Sequence, residues 1–228
     1  MNNDVSRWDE VHRKAISEIA KHSFYAEGCE KEFPRNCIVC DLGGGLGFDA
    51  IYFIKKGHKV ILLDISGFAL KKAKELGLAN NCIKSLLAKQ VDFGKGTLPL
   101  KDSSIDIAFS RIGMNYFPYR ETQILMNETY RVLKSGGKAY LALKSPNDMD
   151  EMKFIKETAV EMEPGVYIEG EQIRSRFSVE QLERMLKEIG IKEFNVKPFQ
   201  EGPEVARDEF GISKEKPLFL NEVTFTKV

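Results

Sequence analysis

Short apolar runs alternate with helical stretches along most of this 228-residue chain. The runs have the length of buried strands, and the stretches between them place apolar side chains on one helix face. Strands that alternate with helices form a parallel sheet, so the pattern predicts a doubly wound α/β fold. The predicted strands are 36–41, 59–64, 85–91, 105–110 and 138–144, and the predicted helices between them are 48–56, 67–76 and 121–134.

The N-terminal stretch carries a separate apolar stripe. Its apolar side chains, from Val5 to Ile19, recur at helical spacing and predict one helix over 4–22. This helix either packs on the domain or covers a ligand site as a lid. Residues 23–35 contain glycine and proline and are expected to be a connection.

The last third of the chain departs from the alternation. Residues 145–177 are charged and interrupted by proline and glycine, with one helical stretch around 150–162. A helix then begins at Ser178, whose spacing to Gln181 is that of a capping box. Two final strands joined without a helix should pair antiparallel, because a parallel pair needs a crossover connection. They are expected at 193–199 and 218–228, on either side of a loop at 200–217.

A glycine-rich turn, C-D-L-G-G-G-L-G over 40–47, separates the first predicted strand from the first helix. Strand, glycine turn and helix form the nucleotide site of doubly wound folds, where glycine lets the backbone approach a ligand closely. The dinucleotide fingerprint G-x-G-x-x-G would need glycine or alanine where Phe48 stands. Asp41 would repel a pyrophosphate at this helix N-terminus. It suits a ligand with an ammonium and a sulfonium group, such as S-adenosylmethionine.

The turn resembles the first motif of the class I S-adenosylmethionine-dependent methyltransferases. Four further segments follow in the family's order and spacing, so the resemblance covers about 36–144. They are V-I-L-L-D at 60–64, V-D-F at 91–93, L-P-L-K-D-S-S-I-D at 98–106 and Y-R-V-L-K-S-G-G at 130–137. The resemblance implies a Rossmann-like, seven-stranded, mainly parallel sheet with an antiparallel last strand, helices on both faces and a small cap.

The implied activity is methyl transfer from S-adenosylmethionine to an acceptor that is expected to be a small molecule. We expect a single methyltransferase domain over 1–228. Its parts would be an N-terminal helical lid (1–35), the cofactor-binding core (36–144), a cap insertion (145–177) and a C-terminal helix with a strand pair (178–228).

The candidate cofactor ligands follow the predicted strands. A carboxylate at the end of the second strand, Asp64, can accept both ribose hydroxyls of an adenosine. By resemblance, Asp92 accepts the adenine amino group, Phe93 donates a backbone N–H, and Arg111 lies beside the methionine moiety. The expected cofactor residues are Asp41, Gly43, Gly44, Gly45, Gly47, Asp64, Ile65, Asp92, Phe93, Ser110 and Arg111.

Methyl transfer asks little of side chains, because the protein has only to align acceptor, methyl and sulfur and to exclude water. A general base is needed only when the acceptor must lose a proton, and no catalytic residue is assigned. Asn115, Tyr116 and Tyr167 are the candidate acceptor contacts. The segment N-Y-F-P at 115–118 differs from the N-P-P-Y or D-P-P-Y signature of DNA amino-group methylation.

Two other functions stay open. Aminopropyl transferases carry a G-G-G run on this fold, although Asp41 and the segment at 98–100 favour methyl transfer. A protein that binds the cofactor without chemistry, as a sensor or partner, would show the same motifs. Detection of methyl transfer to any acceptor would exclude it.

Charge and cysteine content limit the expected partners and cellular compartment of the protein. Lys plus Arg and Asp plus Glu each number 34, which argues against nucleic acid as a partner. No apolar run approaches the roughly 20 residues that span a bilayer. Four cysteines make no disulfide framework in a chain of this size. We therefore expect a cytoplasmic protein with a small-molecule acceptor and no membrane partner, as a monomer or homodimer.

The cysteines and histidines, which could bind a metal, are not spaced in a way that predicts a metal site. Cys37 and Cys40 have C-x-x-C spacing, but positions three apart on a strand face opposite sides of the sheet. His12, His22 and His58 share no periodic face with acidic partners and are expected to be ordinary surface or core histidines. No metal is expected.

Overall fold

The computed structural model describes residues 2–15, 21–207 and 213–228. Within these residues the helices are α1 (Asn2–Ala15), α2 (Phe24–Glu30), α3 (Phe48–Lys55), α4 (Gly67–Ala79), α5 (Tyr119–Val132), α6 (Met149–Thr158) and α7 (Val179–Glu188). The strands are β1 (Ile38–Leu42), β2 (Lys59–Asp64), β3 (Leu86–Gln90), β4 (Ile105–Arg111), β5 (Leu133–Lys144), β6 (Val160–Glu163), β7 (Val166–Glu169), β8 (Gln172–Ser175), β9 (Phe194–Arg207) and β10 (Ser213–Thr226).

Seven of these strands form one sheet in the order β3-β2-β1-β4-β5-β10-β9. The first five pair in parallel, whereas β10 runs antiparallel to both β5 and β9. The mainly parallel sheet with its antiparallel last strand is therefore confirmed. Chain order reverses on either side of β1, and open α/β sheets bind ligands at such a switch point, beyond the carboxyl ends of the strands.

Both faces of the sheet are covered by helices. Alternate strand residues point to opposite faces, so Val39 packs with α2, α3 and α4 while Cys40 packs with α5 and α7. Cys37 lies on the Val39 side, which separates its sulfur from that of Cys40 as predicted. All four thiols are free, and the described residues contain no group of three or more metal-ligating side chains.

Two predicted helix starts are confirmed by their caps. The Ser66 hydroxyl accepts the Ala69 N–H at 3.0 Å, and Ser178 forms a complete capping box with Gln181. The predicted end of α4 at Gly77 is wrong, because the helix continues to Ala79. The absent side chain of Gly77 leaves room for neighbours instead, since a Cβ there would lie 3.3 Å from Ile83 Cδ1.

The stretch 23–35 is not a plain connection, because it contains α2. Ser23 caps this short helix by accepting the Ala26 N–H, and its own N–H donates to Asp49 at 2.6 Å. Tyr25 is buried between Phe109 and Phe199. Seven residues with an internal glycine gave too little periodicity to predict a helix.

The cap region differs most from expectation. Residues 145–177 contain α6 and a small antiparallel sheet, β6-β7-β8, whose four-residue strands carry no clear alternation. The predicted loop at 200–217 is also wrong where described, because β9 and β10 stay paired out to Arg207 and Ser213.

Part of the predicted N-terminal helix, 16–20, lies outside the described residues. The longest described helices, α1 and α5, have 14 residues. None in the described part of the chain is long and apolar enough to cross a membrane.

Candidate active site

A cavity of about 430 Å³ lies at the carboxyl edge of the sheet, and α1 and the cap sheet supply part of its wall. Its volume falls in the lower part of the roughly 300–1,000 Å³ range typical of small-molecule sites. Seven residues predicted from the sequence line it: Gly43, Asp64, Ile65, Asp92, Phe93, Arg111 and Tyr116.

The cavity floor is backbone. Gly43 has a φ of +73°, and a Cβ there would lie 2.9 Å from Gly113 Cα. The two turns that follow β1 and β4 therefore touch without side chains between them. Ile112 also has a positive φ, +64°, which is strained for a β-branched residue. Its N–H donates to Ala142 O at 2.8 Å and helps to hold that conformation.

Asp64 joins the glycine turn to the start of α4. Its carboxylate accepts the Gly45 N–H at 2.9 Å through Oδ2 and the Ser66 N–H at 2.8 Å through Oδ1. A carboxylate offers about four acceptor positions, so this nearly buried group, 5% exposed, retains acceptor capacity toward the cavity. The Asp92 carboxylate accepts the Gly94 N–H at 3.0 Å through Oδ1.

Helix α1 contributes one wall of the cavity. Its side chains Asp4, Arg7, Trp8 and His12 line the cavity, at spacings that place them on one face. Asp9 fixes the helix to the start of α4, accepting the Ser66 hydroxyl at 2.6 Å and the Phe68 N–H at 3.1 Å.

His12 is not the ordinary histidine that we expected. Its Cε1 lies 2.7 Å from the position that a Gly45 Cβ would take. Burial lowers the pKa of His12, while the nearby carboxylates of Asp64 and Asp9 act in the opposite direction. The other two histidines lie away from the cavity, where His58 contacts Cys37 Sγ at 3.1 Å and His22 stacks on Tyr52.

Asp41 is not part of the cavity wall. It is 1% exposed beneath the glycine turn, where its Oδ2 would lie 2.2 Å from a Gly44 Cβ. Burial raises the pKa of Asp41 well above its usual range, and the charges of Asp49 and Asp64 add to that effect. The expectation that Asp41 offers a negative charge to the ligand therefore needs correction, because the carboxyl group lies buried beneath the turn and does not line the cavity.

Four other predicted cofactor residues, Gly44, Gly45, Gly47 and Ser110, also lie behind the described wall. Gly45 reaches the site through its bond to Asp64 and its contact with His12. Ser110 supports the turn, since its hydroxyl donates to Leu42 O at 2.7 Å.

Two of the three predicted acceptor contacts are not brought to the cavity. Asn115 uses both ends of its amide on backbone, donating to Ile112 O at 2.9 Å and accepting from the Lys144 N–H at 2.8 Å. Tyr167 packs inside the cap against Met152 and Ile155. Tyr116 does line the cavity, and Trp8 meets it edge-on with ring centroids 4.7 Å apart.

Arg111 is positioned by the C-terminal hairpin. Its Nε donates to Glu201 Oε2 at 2.7 Å, and Glu201 Oε1 accepts the Tyr25 N–H at 2.6 Å. A buried acid from β9 therefore connects the cavity wall to α2.

Sequence reasoning missed Arg7, His12 and Gly113. The polar side chains of α1 share a face with Trp8, so the apolar stripe alone did not show which face meets the cavity. Arg7 directly precedes Trp8 and His12 follows it by four residues, so a search for polar groups close to Trp8 on the helix would have found both. Gly113 is recognisable only once its approach to Gly43 is known.

Residues 39–137 match the model of a family described as a methyltransferase domain. An arsenite methyltransferase of Halobacterium salinarum is 29% identical over 179 residues, covering 75% of this chain and 41% of that protein. A chloroplastic 2-methyl-6-phytyl-1,4-hydroquinone methyltransferase of Arabidopsis thaliana is 36% identical over 105 residues, covering 45% of this chain and 29% of that one.

Two solved structures show the same fold. A SAM-dependent methyltransferase of Methanosarcina mazei has a TM-score of 0.69 at 20% identity, covering 88% of this chain and 96% of that one. A 1,6-didemethyltoxoflavin-N1-methyltransferase of Burkholderia thailandensis, solved with 1,6-didemethyltoxoflavin and S-adenosylhomocysteine, has a TM-score of 0.68 at 14% identity, covering 99% and 86%.

With its sheet order, glycine turn and strand-end acids, the chain has the fold of the S-adenosylmethionine-dependent methyltransferases, and its residues 39–137 match their methyltransferase domain. It spans about two fifths or less of the length of the two curated relatives named above.

Proposed function

We propose that this protein transfers a methyl group from S-adenosylmethionine to a small-molecule acceptor. The observation that carries the proposal is the pairing of the Asp64 carboxylate with the backbone floor at Gly43 and Gly113 in one cavity. Those features fit an adenosine with an extended polar tail, because one offers acceptors to ribose hydroxyls and the other admits close backbone approach.

The proposal assigns each part of the cofactor to residues of the cavity wall. Asp64 would accept the ribose hydroxyls, and Asp92 would accept the adenine amino group. Ile65 and Phe93 would flank the adenine ring, and the backbone at Gly43 would face the methionine part. S-adenosylmethionine itself supplies a methyl group already activated on a sulfonium.

The chain's own contribution is alignment and the exclusion of water. Trp8 and Tyr116 lie in contact at one end of the cavity, where they would help to exclude water. Asp9 holds α1 across the opening through its contacts with Ser66 and Phe68. No side chain is assigned as a general base, since the need for one depends on the acceptor.

A small acceptor is supported by the cavity volume of about 430 Å³. It is also supported by the names of the similar proteins, which specify arsenite, 2-methyl-6-phytyl-1,4-hydroquinone and 1,6-didemethyltoxoflavin. The proposal also places the protein in a reducing, cytoplasmic setting, supported by its four free thiols, as a monomer or homodimer.

Ligand binding tests the proposal first. We expect titration calorimetry to show micromolar binding of S-adenosylhomocysteine, about −8 kcal/mol, and none of NAD. Tight binding of NAD without any response to S-adenosylhomocysteine would contradict it. A labelled-methyl screen of small molecules then distinguishes methyl transfer from aminopropyl transfer and from cofactor binding without chemistry.

A further inference from the structure

The cavity has two ends that α1 connects. At one end His12 lies against Gly45 and faces Asp64, in the proposed cofactor half. At the other end Trp8 lies edge-on against Tyr116. A helix rises about 1.5 Å per residue, so Trp8 stands roughly one turn from His12. The Trp8 end is therefore the part of the cavity left for the acceptor.

Arg7 is the charged group that α1 places at this acceptor end. It lines the cavity, is partly buried, and lies with its Cζ 5.8 Å from the Trp8 ring centroid. No carboxylate of the described residues forms an ion pair with its guanidinium. Asp4 and Glu169 act on it electrostatically without forming an ion pair. A partly buried charge that is not ion-paired loses hydration, and an anionic ligand would offset that cost.

Other charged side chains act on Arg7 and on the neighbouring Tyr116 hydroxyl. Burial lowers the pKa of Arg7, and the nearby Arg174 also lowers it, against Tyr116, Asp4 and Glu169. Burial raises the pKa of the Tyr116 hydroxyl, while the cations Arg176, Arg174 and Arg7 oppose that rise and Glu151 adds to it. Arg174 and Arg176 are ion-paired with Glu169 and Glu151, so Arg7 is the one of these three guanidinium groups that lines the cavity.

Outside the proposed cofactor half, the acidic side chains that line the cavity are exposed to solvent. Asp4, Glu121 and Glu171 are all exposed, whereas Arg7 and Tyr116 are partly buried. Solvent screens exposed charges more strongly than buried ones. The interior of the acceptor end is thus aromatic and cationic.

We propose that the acceptor is a small planar aromatic molecule with an anionic group, that Arg7 binds this group, and that Trp8 and Tyr116 contact the ring. The inference rests on the proposed function, because it takes the other end of the cavity for the cofactor. A guanidinium donates paired hydrogen bonds to a carboxylate or phosphate, and two rings at steep angles suit edge-to-face contact with a third.

Trp8 provides the readout, because it is the only tryptophan in the chain. Its fluorescence should report ligands at the acceptor end directly, without turnover. The probes are benzoate, benzyl alcohol and benzylamine, which share a ring and differ in charge, and cyclohexanecarboxylate, which keeps the charge without a planar ring. Each is titrated to millimolar concentration with S-adenosylhomocysteine at saturation. We expect benzoate to bind about tenfold more tightly than either benzyl alcohol or cyclohexanecarboxylate.

Two variants on the same helix separate the role of Arg7 from a general loss of charge. R7Q should weaken benzoate binding about tenfold or more and leave benzyl alcohol unchanged. R13Q is the matched control, because Arg13 is exposed and lies against Phe68, away from the cavity. R7K should retain part of the preference for benzoate, since it keeps the charge without the planar fork.

Three results would overturn the inference: tighter binding of benzylamine than of benzoate, equal benzoate binding by R7Q and the native chain, or no response to any probe. S-adenosylhomocysteine affinity, measured in the same samples, distinguishes this failure from failure of the proposed function. If that affinity is retained, the cofactor site stands and only the acceptor class is wrong.

Discussion

Asp64 has two roles that a strand-end acid does not reveal in sequence. It is a candidate ribose acceptor, and it also fixes the glycine turn through the Gly45 and Ser66 N–H groups. Removal of its carboxylate would leave two donors without their acceptor. Buried groups left in this way cost about 1–3 kcal/mol.

We therefore predict that Asp64→Ala weakens S-adenosylhomocysteine binding about tenfold to a hundredfold. It should also lower the Tm, because the turn loses its support. Calorimetry and thermal unfolding measure the two effects separately.

Asp106→Ala is the control for this variant. Asp106 also accepts a backbone N–H, from Ile38 at 2.8 Å, and pairs with Lys134, but it does not belong to the described cavity wall. It should lower the Tm and leave the ligand affinity unchanged. Equal affinity loss in both variants would mean that Asp64 acts through stability alone.

Among the elements, α6 depends on a buried ionic contact. Glu151 binds Arg176 through two hydrogen bonds of 2.9 and 3.0 Å and also pairs with Lys144. These three side chains connect α6 to β5 and to the end of the cap sheet. Burial alone would raise the pKa of Glu151, but Arg176 and Lys144 outweigh it and lower the pKa to about 2.

We predict that Glu151→Gln destabilises the protein by about 3 kcal/mol, or roughly 6–12 °C in Tm. Two buried cations lose the carboxylate that they share. Glu157→Gln changes an exposed residue on the same helix. It should change the free energy of unfolding by less than about 0.5 kcal/mol. Similar Tm values for the two variants would show that the ionic contact contributes little.

The pH dependence of this contact has a definite sign. The pKa of Glu151 in the folded protein lies below its ordinary value of 4.5. Its contribution to stability is therefore complete above pH 4.5 and is lost as the pH falls toward 2. The difference in unfolding free energy between the native chain and Glu151→Gln should shrink over that interval.

At the scale of the whole molecule, α1, the glycine turn and the β6-β7-β8 sheet line one cavity. α1 touches the turn through His12 and the start of α4 through Asp9. The cap sheet is tied to the turn after β4, since the Ser175 N–H donates to Asn115 O at 2.7 Å. Ligands at either end should therefore slow exchange in different segments.

We predict that S-adenosylhomocysteine alone protects 41–47, the end of β2 and α1 in hydrogen exchange. An acceptor-end ligand should add protection in 145–177, because closure excludes water. The β9–β10 hairpin beyond its contact with Arg111 serves as the internal control. Unchanged exchange of α1 on cofactor-product binding would show that the lid is not coupled to the site.

Much of the core could be predicted because its causes are local. The alternation of strands and helices, the turn at Gly43 and the caps at Ser66 and Ser178 depend on periodicity or on the conformation of single residues. The strand-end positions of Asp64 and Asp92 follow from those elements. The two faces of the sheet, and the divergence of Cys37 and Cys40, follow from strand alternation.

The sequence by itself thus determined the resemblance to the methyltransferases, the sheet and the strand-end acids of the candidate site. Only the tertiary structure decided which face of α1 meets the cavity, and so placed Arg7, Trp8 and His12 within it. Only packing decided that Asp41 is buried beneath the turn, and that Asn115 and Tyr167 serve the scaffold. These outcomes depend on which surfaces meet and how much water they exclude, and neither quantity can be deduced from residue spacing.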